Sequence, residues 1–232
     1  MMIASTKEFI NNVNDERCNE KEFIRMAMEF CEALKIVGIT TLPFRSSSNL
    51  HFTKRSKKDQ KKILAYLDIS MAVLKECILD GQDAFYDKVL LWRVFKRIGG
   101  VPQDDLFDKI HEDDLIEVYF TDHTPIFRNL KFYREFSYTV DEALCQTWYQ
   151  FCRRDLSVTL KTMRFALMFM RDGRQTKAWT IPRHYVDERG TAMEYRALML
   201  QKYLSGIHSD GKLMAFVCTS EVNVVGAKGK LF

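Results

Sequence analysis

The sequence is poor in the residues that break or staple a chain. Only four prolines and ten glycines are spread over 232 residues, which leaves no stretch suited to a long disordered linker. The six cysteines (Cys18, Cys31, Cys77, Cys145, Cys152 and Cys218) form no CxxC pair, and none stands at zinc spacing from a histidine. They read as reduced thiols of a cytoplasmic protein and not as a disulfide framework. No apolar run approaches the roughly 20 residues of a membrane span. The opening MMIASTKEFINNVNDER has acids and asparagines where a secretory leader needs an apolar stretch. GxSxG, Walker and kinase signatures are missing, and no GxGxxG follows a strand. These absences predict a soluble chain without membrane contact. They supply no catalytic set, no metal site and no haem or flavin ligand, so an enzyme is not expected.

What is present is ordinary globular material. Hydrophobic residues make up 47% of the chain and charged residues 28%, enough for a substantial core. The net charge of +4 is too mild to mark a nucleic-acid binder. Arg45, Lys54, Arg55, Lys57, Lys58, Lys61 and Lys62 form the densest positive patch. With Phe52 the one aromatic nearby, the patch reads as a solvated loop running into a helix.

Residues 5–37 have a helical pattern. Ser5 and Glu8 fit a capping box, Phe23, Met26, Ala27, Phe30, Cys31 and Leu34 repeat at three and four, and Gly38 is a stop. KKILAYLDISMAVLKECIL predicts a second helix, with a strand as the alternative for AVLKECIL. KVLLW reads as a short buried strand, and RVFKRIGG as helical turns ended by Gly99 and Gly100. Residues 116–170 are expected to be mostly helical. There Leu144, Trp148, Phe151 and Cys152 make a stripe behind the acidic first turn Val140–Asp141–Glu142. Asp187 and Glu188 are expected in a solvated turn. TAMEYRALMLQKYLSGI reads as a strand, with a helix as the alternative for AMEYRALMLQKYL. Asp210–Gly211 supplies a tight hairpin turn, and LMAFVCTSEVNVV follows as the partner strand. Helices first and an antiparallel meander last make an α+β protein.

One stretch invites a chemical reading. IHEDDL carries His111, Glu112, Asp113 and Asp114. Zinc wants further histidines at helical spacing, and a calcium loop wants alternating acids around a glycine; neither is present. The acids are expected instead to cap a helix formed by the apolar run LIEVYF. His123, His184 and His208 have no evident partner. Cys152 beside Arg153 and Arg154 is expected to pack against Trp148 and not to react.

Read as a whole, IGGVPQDDLFDKIHEDDL resembles the middle of a PAS domain. Phe95, Ile98, Gly99, Asp104, Asp105, Leu106, Ile110, His111 and Asp114 match that family's pattern. Trp92 stands where the family usually has Asn, and Glu112 where it has Pro. EYRALMLQKYLSGIHSDGKLMAFVCTSEV is similar to the final strand pair of the sensory part of LuxR-type transcriptional regulators of Bacteroidetes, through Leu200, Tyr203, Asp210, Gly211, Leu213, Ala215 and Cys218. The likeness covers roughly residues 70–225. It implies an N-terminal helical segment (1–68), then a PAS-like antiparallel sheet with flanking helices (69–232) and a helical insertion at about 116–170. It implies a non-enzymatic sensory or regulatory module, acting by binding a small molecule, by homodimerisation, or by both. A protein–protein adaptor without a small ligand is the alternative. Trp92, Phe95, Tyr203, Phe216 and Cys218 are the candidate ligand-pocket residues. DNA would be met only through a C-terminal helix-turn-helix, which the resemblance places beyond GAKGKLF and this chain does not contain.

Overall fold

The repeat at three and four produces helix α1 (Asn19–Ile36), which buries Phe23, Met26, Ala27, Phe30, Ala33 and Leu34. Gly38 ends it at φ 77°, where Gly38 N–H donates to Lys35 O and Ile39 N–H to Leu34 O, both at 3.0 Å. The computed structural model describes residues 19–81, 87–103, 105–172, 181–191 and 193–227. The Ser5–Glu8 box lies outside them. Helix α2 (Lys57–Leu79) starts at Ser56, whose hydroxyl accepts from Asp59 N–H at 3.2 Å. It runs parallel to α1: Asn19 meets Gln60 near one end, and Glu29 meets Lys75 further along. AVLKECIL is therefore helical. The expected boundary at 68/69 falls inside α2, and one hydrophobic cluster extends from Phe23 to Val222.

KVLLW is not a strand. It lies in helix α3 (Asp87–Ile98), which buries Leu90, Leu91, Val94, Phe95 and Ile98. Those positions follow a helical period once the window is extended past Trp92. Strand β1 (Val101–Pro102) and the single turn α4 (Leu106–Lys109) come next. Residues 116–128 are also not helical. They form most of the hairpin of β2 (Asp114–Phe120) and β3 (Pro125–Arg128). LIEVYF is covered on both sides, so it lacks the alternation that marks a half-buried strand.

The single stripe expected behind Val140 is broken into pieces. Helices α5 (Leu130–Glu135), α6 (Val140–Cys145) and α7 (Trp148–Phe151) are short, Cys152 belongs to strand β4 (Cys152–Arg153), and α8 (Leu156–Asp172) follows. Three of the restarts have their own caps, the first of them Asn129, whose side chain accepts from Phe132 N–H at the start of α5. A capping box of Thr139 and Glu142 opens α6, and Thr147 with Gln150 opens α7.

The C-terminal hairpin is as expected, and a third strand, β5 (Ile181–Glu188), takes in Asp187 and Glu188 in place of the expected turn. Strands β5, β6 (Tyr195–Ser209) and β7 (Lys212–Ala227) are antiparallel, and β6 turns into β7 through Asp210 (φ 51°) and Gly211 (φ 73°). The sheet order is β3-β2-β7-β6-β5-β4, with β1 also on β6 and every described pairing antiparallel. The protein is α+β, a curled antiparallel sheet with flanking helices.

Successive strand residues face opposite sides. On β2, Phe120 meets Tyr66 of α2 (ring centroids 4.8 Å), whereas Tyr119 stacks on Phe216 of β7 (5.6 Å), and Phe216 meets Phe169 of α8 (6.3 Å). Helix α2 and helix α8 therefore cover opposite faces. No described helix is long and apolar enough to cross a membrane.

Candidate functional site

The face of the sheet under α5–α8 holds an unusual group. Arg128, at the end of β3, has a side chain with 0% exposure. Register places it opposite Glu117 of β2, and its Nε donates to Glu117 Oε1 at 3.1 Å. Its Nη2 donates to the Tyr119 hydroxyl at 3.2 Å, and its Nη1 to the Ala143 carbonyl. Tyr119 in turn donates to Glu117 Oε1 at 2.5 Å. Burial pushes the Tyr119 pKa well up, so it stays a phenol and keeps that proton. The rings of Phe151, Phe132 and Tyr119 lie 4.6, 4.9 and 5.6 Å from the guanidinium carbon. A buried cation needs such a set: one anion, a carbonyl and ring faces together offset its lost hydration.

This group fills the space in which a ligand would sit between sheet and helices. The gap bounded by Glu117, Tyr119, Phe132, Phe151, Arg154 and Met199 leaves about 10 Å³, the room of one water.

The five candidate pocket residues are not gathered into one place. Trp92 is 51% exposed on α3, with Lys96 Nζ 5.3 Å from its ring. Phe95 is core, edge-on to Phe107. Tyr203 donates to Asp105 Oδ1 at 2.9 Å. Phe95 and Tyr203 belong to the large core cluster, whereas Phe216 and Cys218 lie in a second one, beside Tyr119 and Leu204. Burial raises the Cys218 thiol to about 12 and the Cys152 thiol to about 11, so neither is an activated nucleophile.

The acids of HEDD turn out to shape the chain. Asp114 opens a strand, not a helix, because its Oδ2 accepts His111 N–H at 3.0 Å and its Oδ1 pairs with Lys202 Nζ of β6 at 2.7 Å. No group of metal-ligating side chains occurs among the described residues. Glu188 is likewise buried and not solvated: it accepts from Ser137 N–H and Oγ (both 2.5 Å), Thr191 Oγ1 (2.6 Å) and Tyr195 N–H (3.0 Å). His123 finds a partner in Trp148, whose Nε1 donates to its Nδ1 at 3.1 Å. Sequence reasoning missed Glu117 and Arg128. The available signal was a charge set inside each of two apolar runs, LIEVYF and PIFR.

These features define an α+β domain whose sheet face under α5–α7 is packed around Arg128. Compared with known proteins, the chain matches no family model and no curated protein.

Proposed function

We propose that the chain is a non-enzymatic, PAS-like regulatory module of a bacterial signalling or transcription-regulating protein, and that it acts by protein association and not by holding a small ligand. One observation carries this reading: Arg128 and its ring cage occupy the interior under α5–α8, leaving room for about one water. The arrangement of the sheet supports the PAS likeness. The hairpin β2–β3 and the meander β5–β7 form two halves joined by β2–β7 pairing, with helices between them in sequence. The five described cysteines are free thiols, which fits a cytoplasmic setting.

Native mass spectrometry beside the denatured mass tests the proposal. We expect the protomer mass to be the same in both, alone or as a multiple. A small molecule retained only in the native state would overturn it in favour of a ligand sensor.

A further inference from the structure

Helix α8 is an apolar helix that the fold leaves almost bare. Of residues 156–171 only Phe169 is buried. Leu156, Leu160, Met163, Leu167 and Met170 recur at intervals of four and three, the spacing of a helix-docking seam. Leu156, Leu160 and Leu167 are 73%, 57% and 64% exposed. Arg164 and Arg171 flank the seam, and no acid occurs from Leu156 to Arg171.

The same chain carries a matching groove. Between the parallel helices α1 and α2, Met28, Ala33, Ile36, Ile78 and Leu79 line an open cleft of about 530 Å³. Ile36 is 70% and Leu79 85% exposed; Glu32 stands on the α1 wall, and Glu29 beside it is paired with Arg25 and with Lys75 of the opposite wall. From Met28 to Ile36 the groove runs about 12 Å along α1, and Leu160 to Leu167 spans about 10 Å of α8. A copy cannot fill its own groove, because α2 and α8 lie on opposite faces of its sheet.

We propose that α8 of one copy docks in the α1–α2 groove of a second copy, with Leu160, Met163 and Leu167 entering the cleft and Arg164 facing Glu32. This rests on the reading that the domain works through its surface, and it names the surfaces. Charge complementarity selects this pairing over α8 against α8. Antiparallel self-pairing would set Arg164 against its own copy, and parallel pairing would give the arginines no acid. Each copy then offers one ridge and one groove, which either close reciprocally into a dimer or propagate.

Sedimentation velocity over a concentration series tests it with the full chain. Wild type should self-associate. Leu160→Asp and Ile36→Asp, both at exposed positions, should each weaken association at least tenfold while leaving the thermal transition in place. Glu32→Arg should weaken association too, and adding Arg164→Glu should restore it. Loss with Leu160→Asp but not with Ile36→Asp would overturn the groove assignment in favour of α8 pairing with α8. Association indifferent to all of these variants would overturn the surfaces and leave the proposed mode of action standing. A wild type that stays monomeric and cosediments with phosphatidylserine vesicles, but not as Leu160→Asp, would assign α8 to a lipid surface. A monomer that ignores vesicles would overturn the second copy outright.

Discussion

Arg128 shows how much one side chain can demand of its surroundings. Its cation is offset by Glu117, the Ala143 carbonyl and three rings, so removing it leaves the largely buried Glu117 carboxylate without its counter-charge. We expect Arg128→Ala to lower unfolding stability by about 3–5 kcal/mol in urea titration. Replacing both charges, as Arg128→Met with Glu117→Leu, should recover at least half of that loss, because no buried ion is left unpaired. A double variant as unstable as the single one would mean that packing, not the ion pair, sets the cost. At this scale the sequence was partly legible. Cys152 reads as a packing residue from its apolar neighbours, and it is buried. The roles of Asp114 and Glu188 were not legible, because their partners Lys202 and Ser137 lie 88 and 51 residues away.

Elements are also tied together by acids, and the half-buried Asp87 is the most telling. It stands in the first turn of α3 and accepts from Asn129 Nδ2 at 2.8 Å and Leu130 N–H at 3.3 Å, joining α3 to α5. Burial raises its pKa to about 6, against the pull of these hydrogen bonds and of Arg134 and Lys131. A carboxyl that binds its proton more tightly when folded adds stability at low pH. That contribution is lost as pH climbs from about 4 to about 6, by up to about 3 kcal/mol, and is flat above. Subtracting the urea stability of Asp87→Asn from that of wild type across pH 4–7.5 isolates this group. We expect the difference to fall over that window. A difference that rises with pH would mean that Asp87 is held as a carboxylate. The same scale explains two of the misread elements. KVLLW became helical because its period extends through Val94, Phe95 and Ile98, and LIEVYF became a strand because both its faces are covered.

Across the whole molecule, protection should follow coverage. Strand β7 lies at the centre, paired along β6 from Tyr195–Ala227 to Ser209–Lys212 and with β2 on its other edge. Helix α8 is held chiefly through Phe169. In hydrogen exchange followed by mass spectrometry, amides of β2, β6 and β7 should exchange slowest, and α8 faster than α1, α2 and α3. Raising the protein concentration should slow α8 and the α1–α2 groove together. Slowing of α8 alone would point to α8 pairing with itself.

By itself the sequence determined the α+β class, the α1 stripe with its Gly38 stop, the KKILAYLDISM part of α2, and the β6–β7 hairpin turned by Asp210–Gly211. Each of these follows from local periodicity or from the backbone freedom of particular residues, and both act within a few positions. Only the tertiary structure decided that β2 pairs with β7, that Arg128 meets Glu117 under the rings of Phe132 and Phe151, and that the five candidate pocket residues are divided between two clusters and the surface. Those outcomes depend on which apolar faces cover one another and on where a buried charge finds its counter-charge. Such choices are made between residues far apart in the chain, and they settle together only when the sheet and helices pack.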